Sequence, residues 1–192
     1  MNLYSGIKYN VYKKAVITDT PESIKAGKTV RFENGADVDE FLQINDEDKL
    51  VVVALPKRGI TPEIISSFTE KSSFIIEEGL CLEPGTISLQ SKSKSGYYLS
   101  VKDDGYALEK VDPANGCSKW NTCFIAQEEE GDDFKDKTNP IVLESAISPN
   151  FYLTYDGTTL ARSGKPDQTT DDHEEKTAAW NKSKVWSLIE AV

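Results

Sequence analysis

The side chains best suited to metal chemistry are concentrated in one acidic stretch, residues 171–175. The only histidine, His173, lies there between Asp171, Asp172, Glu174 and Glu175. Carboxylates and imidazole both bind metal ions, but this run lacks the fixed spacing of a metal site, so we predict a solvated polar insert. Residues 128–133, Glu-Glu-Glu-Gly-Asp-Asp, are likewise predicted to form an acidic loop. No metal and no cofactor is expected.

Catalytic motifs are also missing from the sequence. The lone histidine has no identifiable orienting partner, so neither a Ser/His/Asp nor a Cys/His nucleophile is supported. Carboxylates are numerous, but abundance in an acidic chain does not define a general acid and base. The glycine patterns that bind phosphates and dinucleotides are absent. We therefore expect a binding protein rather than an enzyme.

The charge balance argues against two classes of partner. Among 192 residues, 32 are acidic and 22 are basic, which gives a formal net charge of −10. Such a chain repels nucleic acids and anionic membrane surfaces. No apolar run approaches the roughly 20 residues that span a bilayer, and the first residues lack the pattern of a signal peptide. We expect a monomer that binds no nucleic acid and does not insert into membranes.

Three cysteines, Cys81, Cys117 and Cys123, leave at least one thiol unpaired. Their spacing is not that of a metal site. A Cys117–Cys123 bridge and three free thiols both remain open, since the choice depends on the compartment.

Strand-like segments recur along the chain with a common register. Thr86–Ser91 and Pro140–Ser145 match at an offset of 54, and the next strands, around Tyr98 and Tyr152, keep that offset. Thr29–Asn34 stands 57 residues before the middle repeat. Each repeat continues with a third and a fourth strand, and turn residues separate the strands. Two short helices are predicted in loops, one starting near Pro62 and the other at residues 176–181.

Three four-stranded units predict an all-β fold, specifically a β-trefoil, because one such unit cannot close a barrel alone. A two-sheet sandwich is the competing architecture. The predicted boundaries are an N-terminal extension at residues 1–28 and a trefoil domain at 29–192, with units at 29–79, 86–131 and 140–192. The predicted core is the inward alternation of each unit: Val30, Phe32, Leu42, Ile44, Val51, Val53, Phe74, Ile76, Ile87, Leu89, Tyr98, Leu108, Phe124, Ile141, Leu143, Tyr152, Leu160, Trp186 and Leu188.

The repeats resemble the interleukin-1 cytokine family over about residues 28–192. The third unit carries the likeness in Leu143–Thr154, which contains Ser145-Ala146 and Pro149-Asn150 at the spacing of the family's late signature. It departs from that signature where Thr154 is followed by Tyr155. The long insert of residues 167–184 also departs from the family at a receptor-facing loop.

This resemblance implies a cytokine-like signalling ligand that binds the immunoglobulin-type ectodomains of a cell-surface receptor in the immune response. It implies an extracellular location reached by leaderless release, with a cytoplasmic pool. The implied receptor contacts lie on loops: Asp46, Asp48, Lys57, Arg58, Lys119, Trp120, Glu128 and Glu129. Trp120 is the favoured anchor because exposed tryptophans dominate binding hot spots.

Other trefoils share this strand pattern, so fold alone does not fix function. Units that contain Ser-Leu-x-Ser followed by Tyr-Leu also resemble arabinose-binding trefoil modules of glycosidases and the actin-bundling fascins. For a carbohydrate-binding module, the candidate residues are carboxylates and rings that follow the second strands: Asp103, Asp104, Tyr106, Tyr155 and Asp156. Carboxylates accept hydrogen bonds from sugar hydroxyls, and rings cover apolar sugar faces.

Overall fold

The computed structural model describes residues 22–34, 39–102, 105–111, 116–166 and 172–191. Its twelve strands fall into three groups of four, as the repeats predict. They are β1 Thr29–Asn34, β2 Glu40–Ile44, β3 Leu50–Ala54, β4 Ser73–Glu78, β5 Ile87–Ser91, β6 Tyr97–Val101, β7 Tyr106–Lys110, β8 Phe124–Glu128, β9 Pro140–Ser145, β10 Phe151–Tyr155, β11 Leu160–Gly164 and β12 Trp186–Glu190. Unit 1 is β1–β4, unit 2 is β5–β8 and unit 3 is β9–β12.

Six strands close an antiparallel barrel. Around it, β1 pairs with β4, β4 with β5, β5 with β8, β8 with β9, β9 with β12, and β12 with β1. The other six strands form the hairpins β2–β3, β6–β7 and β10–β11. The strands β3, β7 and β11 contact one another in pairs, which places the three hairpins together as a cap. The fold is a β-trefoil.

In each unit a helix connects the third strand to the fourth. These helices are α1 Pro62–Ser72, α2 Gly116–Asn121 and α3 His173–Ser183. The two predicted helices are confirmed, and α2 was not expected. Thr61 caps α1, since its Oγ1 accepts a hydrogen bond from the Ile64 amide at 3.4 Å, and Pro62 occupies the first turn, where no amide hydrogen is needed.

The core fills the barrel and the underside of the cap. Phe32, Phe74, Phe124 and Trp186 are each 0% exposed and come from β1, β4, β8 and β12. The indole Nε1 of Trp186 donates to the carbonyl of Leu153 at 3.2 Å, so its one polar atom is satisfied. Ile24, from the segment placed in the extension, is 1% exposed and packs into this core.

The predicted core is wrong by one residue in parts of the hairpins. Leu99 and Leu153 join the central cluster instead of Tyr98 and Tyr152. In β3, Leu50 and Val52 pack against it instead of Val51 and Val53. The cause is the two-residue alternation of strands, in which a shift of one residue exchanges the faces.

The structure also resolves the cysteine question. Cys81 in the β4–β5 connection forms a disulfide with Cys123 at the start of β8, with the two Cα atoms 6.4 Å apart. Neither the Cys117–Cys123 bridge nor the set of three free thiols is present. The bonded residues are 42 positions apart, and the barrel brings their segments together because β5 pairs with both β4 and β8.

Candidate functional site

An aromatic pair lies on the outer face of unit 3, where α3 packs against β10. The rings of Tyr152 and Trp180 meet edge to face with centroids 5.6 Å apart, and both side chains are half-buried. The Trp180 Nε1 donates to Ser163 Oγ on β11 at 3.1 Å. This hydrogen bond fixes the orientation of the indole, so the pair is preorganised.

An ion pair borders these rings. Lys184 Nζ lies 5.0 Å from the Trp180 ring centroid and 5.4 Å from that of Tyr152. The same ammonium is 2.7 Å from Glu129 Oε1, and the Lys184 and Glu129 side chains are only 13% and 26% exposed. We call Glu129, Tyr152, Ser163, Trp180 and Lys184 the unit-3 cluster. It combines aromatic surface, a carboxylate acceptor and an ammonium donor in one place.

The corresponding position of unit 1 is closed. There Phe68 of α1 packs on Phe41 of β2 with centroids 5.8 Å apart, and both phenylalanines are 5% exposed. The guanidinium of Arg31 covers the Phe41 ring at 4.7 Å from its centroid. Two phenyl rings offer no hydrogen-bonding group, so this position serves packing.

The corresponding position of unit 2 is polar and buried. Tyr98 is 8% exposed, and its hydroxyl donates to Glu77 at 2.9 Å and accepts from the Gln90 amide at 2.8 Å. Burial raises the pKa of Tyr98, and the Glu77 carboxylate adds to that increase. The hydrogen-bonding capacity of this ring is already used within the protein, so of the three positions unit 3 offers the most accessible aromatic and polar groups.

The predicted receptor-contact residues of unit 1 lie in two separate loops. Asp46 and Asp48 share the β2–β3 turn, where Asp46 pairs with Lys71 at 2.5 Å and Asp48 pairs with Lys94. Lys57 and Arg58 lie between β3 and α1. Lys57 is 3.4 Å from Asp39, whereas Arg58 is exposed and has no ion pair among the described residues.

The remaining predicted receptor contacts are divided between α2 and the end of β8. Lys119 and Trp120 belong to α2, and Trp120 is 37% exposed. Glu128 accepts a hydrogen bond from Ser23 Oγ at 3.1 Å. Glu129 belongs to the unit-3 cluster. The structure therefore joins one predicted residue, Glu129, to partners that the sequence analysis did not propose as a site.

The residues predicted to bind sugar lie apart from the unit-3 cluster. Tyr106 packs against the core, 6.1 Å from the Phe124 ring. Tyr155 is 8% exposed, and its hydroxyl donates to the Gly157 carbonyl. Asp156 accepts hydrogen bonds from the Thr158 and Thr159 amides of its own turn. These bonds lower the pKa of Asp156. Asp103 and Asp104 lie outside the described residues.

No metal site appears in the part of the chain that the structure describes, since no group of three histidine, cysteine, aspartate or glutamate side chains is placed to hold an ion there. His173 Nδ1 instead lies 3.4 Å from Thr177 Oγ1 within α3. The described helices also include none that is long and apolar enough to cross a membrane.

The sequence contained a signal for the unit-3 cluster. Trp180 stands six residues before Trp186, and Phe68 stands six residues before Phe74. Trp186 and Phe74 are buried residues at the start of the fourth strand of their units, so Trp180 and Phe68 occupy equivalent positions. Tyr152 and Phe41 are likewise equivalent under the offsets of 57 and 54. Extending the repeat alignment into the helices pairs Trp180 with Tyr152. The sequence pattern alone predicts a helix at residues 176–181 and a polar insert at residues 171–175, but no aromatic pair.

Comparison with known proteins supports the fold. No family model and no curated protein matches the sequence. Among solved structures, an arabinofuranosidase complexed with arabinofuranosyl-α-1,2-xylobiose is similar at a TM-score of 0.69 and 14% identity over 90% of this chain. The alignment covers 33% of that enzyme, so this chain spans about a third of its length.

Two smaller trefoils are also similar. The BEL β-trefoil has a TM-score of 0.56 and 11% identity, and the alignment covers 90% of this chain and 97% of that one. A Polyporus squamosus lectin bound to Neu5Acα2-6Galβ1-4GlcNAc has a TM-score of 0.53 and 13% identity, with 86% of this chain and 50% of the lectin covered. At these identities, the likeness establishes the β-trefoil fold.

Proposed function

We propose that this chain is a non-catalytic carbohydrate-binding β-trefoil module whose ligand site is the unit-3 cluster. The observation that carries the proposal is the Tyr152–Trp180 ring pair bordered by the Glu129–Lys184 ion pair. Apolar C–H faces of a sugar pack on aromatic rings, while its hydroxyls donate to a carboxylate and accept from an ammonium. A small number of placed polar groups beside aromatic surface is the usual composition of such sites.

The structural neighbours support a sugar as the first ligand to test. One is an arabinofuranosidase crystallised with an arabinofuranosyl xylobiose, and another is a lectin bound to a sialylated trisaccharide. A neutral sugar fits the cluster better than an acidic one, because the Lys184 ammonium is already neutralised by Glu129.

The test begins with a glycan array that ranks neutral ligands. Titration calorimetry then measures the affinity for the neutral arabinofuranosyl-α-1,2-xylobiose and, in parallel, for the acidic Neu5Acα2-6Galβ1-4GlcNAc. Wild type should bind a neutral glycan saturably. Trp180→Ala should weaken that binding by at least about tenfold through lost ring contact, and Glu129→Gln should weaken it while leaving the aromatic pair in place.

Trp120→Ala is the matched control, since it removes an exposed tryptophan from a different unit and should leave the affinity unchanged. Because Trp180 is half-buried, circular dichroism and thermal unfolding must show that each variant is folded. Absence of binding across the array, or equal affinities of wild type and both cluster variants, would contradict the proposal.

A protein receptor is the second candidate, and one observation favours it. Trp120 is 37% exposed on α2, and an accessible tryptophan is a common anchor of protein interfaces. A panel of immunoglobulin-type receptor ectodomains should then capture wild type, with binding lost in Trp120→Ala and retained in Trp180→Ala. Trp120→Ala and Trp180→Ala therefore distinguish the two candidate functions, because each variant should weaken one kind of binding and retain the other.

A further inference from the structure

Lys57 and Arg58 form the only Lys-Arg pair in the sequence, and they lie in the connection between β3 and α1. The Lys57 side chain is 73% exposed, and its ammonium lies 3.4 Å from Asp39. An ion pair between exposed groups of this kind holds a side chain only weakly. Arg58 is exposed as well. Both cationic side chains are therefore accessible to a partner with two adjacent acidic pockets.

The backbone around this pair is accessible too. Residues 57–64 are all exposed. On the strand side, the Leu55 amide donates to the Asp39 carbonyl at 2.6 Å, and on the helix side the Ile65 amide donates to the Thr61 carbonyl at 3.1 Å. Between them, residues 56–60 make no backbone-to-backbone hydrogen bond within the described part of the chain. Exposed segments of this kind open locally at low cost and are preferred sites of proteolysis.

Gly59 follows the basic pair directly. Its φ is 62°, and a Cβ atom at this position would meet no described atom within 4 Å. Extended binding of a peptide segment requires a negative φ at each residue. Glycine changes between these conformations without a steric penalty. The Arg58–Gly59 peptide bond can therefore become extended without a rearrangement of the barrel.

The turn between β5 and β6 shows that an exposed lysine alone does not provide such a site. Lys92 is exposed, but its amide donates to the Ser73 carbonyl at 3.0 Å. The amide of Lys94 donates to Ser91 Oγ at 3.1 Å. The backbone of this turn is thus fixed by hydrogen bonds, whereas that of residues 56–60 is not. The β3–α1 connection combines accessible basic side chains with an accessible backbone.

We propose that the Arg58–Gly59 peptide bond is a processing site for a serine protease specific for paired basic residues. Acidic pockets of the protease bind Arg58 and Lys57, in the way that an acidic specificity pocket selects a basic side chain. Water adds across the bond, so the C–N bond breaks, Arg58 gains a carboxylate and Gly59 gains a free amine. The Cys81–Cys123 disulfide favours an oxidising compartment as the place of this encounter. The proposal is independent of carbohydrate binding.

Cleavage should leave a folded protein composed of two fragments, residues 1–58 and 59–192. The first fragment contains β1, β2 and β3, and β1 pairs with both β12 and β4 of the second fragment. Phe32 and Leu42 of the first fragment are 0% exposed and belong to the common core. These contacts do not depend on the β3–α1 connection, so they hold the fragments together after the bond is cut.

The test treats the folded full chain with a subtilisin-family protease specific for Lys-Arg and follows intact masses by mass spectrometry. Wild type should be cut after Arg58 and nowhere else between residues 22 and 191. The two fragments should co-elute in size-exclusion chromatography and separate in urea. Arg58→Gln should slow the cleavage by at least about 100-fold, because the specificity pocket loses its cationic partner.

Ser93→Arg on the Arg58→Gln background is the matched control. It places a basic pair at positions 92 and 93, where the backbone is fixed, so this pair should stay intact in the folded protein. A peptide of residues 88–97 with the same substitution should be cut, which shows that the sequence itself is a substrate. Circular dichroism verifies that both variants are folded.

Three results of the cleavage assay would overturn the proposal: an intact wild type, a cleavage that Arg58→Gln leaves unchanged, or equally fast cleavage after position 93 in the folded control. Fragments that separate or unfold without urea would also contradict it, since they would show that the connection is needed to maintain the fold.

Discussion

At the residue scale, Tyr106 carries a buried polar atom that the fold leaves unsatisfied. Its hydroxyl is inaccessible and has no hydrogen-bond partner among the described residues. Burial raises the pKa of Tyr106 well above that of a free phenol, and the positive charge of Arg162 opposes this only in part. The ring contributes packing against Phe124, whereas the oxygen opposes folding.

Tyr106→Phe should therefore raise the free energy of unfolding by about 1 kcal/mol, since it removes an unpaired buried hydroxyl and keeps the ring. The effect should grow above about pH 10, where the unfolded tyrosine ionises and the folded one stays neutral. Ionisation of Tyr106 in the unfolded state therefore lowers the free energy of unfolding of the wild type as the pH rises in that range. The variant has no ionisable group at this position and does not show this loss. Urea unfolding of both proteins at pH 8 and pH 10.5 measures the difference.

Two outcomes would contradict this account of Tyr106. One is a variant less stable than wild type at pH 8, which would mean that the hydroxyl has a stabilising partner. The other is an identical loss of stability in both proteins between the two pH values, which would mean that Tyr106 ionises in the folded state.

The core residues show what a sequence pattern can and cannot establish. Val30, Ile87 and Ile141 were predicted as equivalent core positions, and all three are buried. The same offsets, applied from Leu42, lead to Leu99 and then Leu153, which the structure places in the core. The prediction placed Tyr98 and Tyr152 in the core instead, one residue away from the positions equivalent to Leu42. Tyr98 is in fact buried on the outer side, where Glu77 and Gln90 satisfy its hydroxyl.

At the element scale, the helices determine how the three units differ. The helices α1 and α3 each have 11 residues, whereas α2 has six. Both longer helices place an aromatic ring on the second strand of their unit, since Phe68 packs on Phe41 and Trp180 on Tyr152. The strands could be predicted from the repeat, but α2 could not, because six residues contain too few turns for a recognisable helical period.

The start of α1 depends on one side chain. Thr61→Ala removes the cap that accepts the Ile64 amide and should lower the free energy of unfolding by about 1 kcal/mol. Ser66→Ala, at an exposed position within the same helix, is the matched control and should be neutral or slightly stabilising, because alanine favours helices. Urea denaturation compares the two. Equal stabilities of both variants would show that the Thr61 hydroxyl does not cap the helix.

At the scale of the whole molecule, one disulfide ties the β4–β5 connection, which lies between units 1 and 2, to unit 2 just before β8. The repeat predicted three four-stranded units that close one barrel, because one such unit cannot close a barrel alone. It could not predict the cysteine pairing, because the proximity of Cys81 and Cys123 depends on a connection and a helix end that differ between units. Cys117, six residues from Cys123, was the nearer candidate along the chain but is not the partner.

Removal of this disulfide should destabilise the protein by about 2–4 kcal/mol, because the bond closes a loop with a sequence separation of 42 residues and restricts the unfolded chain. Cys81→Ala should therefore lower the thermal midpoint, and a reducing agent should lower that of wild type to a similar extent without affecting the variant further. Cys117→Ala is the control and should behave like wild type in both conditions. Peptide mapping without reduction should recover the fragments of Cys81 and Cys123 as one linked species. A linked Cys117–Cys123 fragment would contradict the pairing, and so would a thermal midpoint that Cys117→Ala lowers as much as Cys81→Ala does. The expected pattern would show that the β4–β5 connection is tied covalently to unit 2.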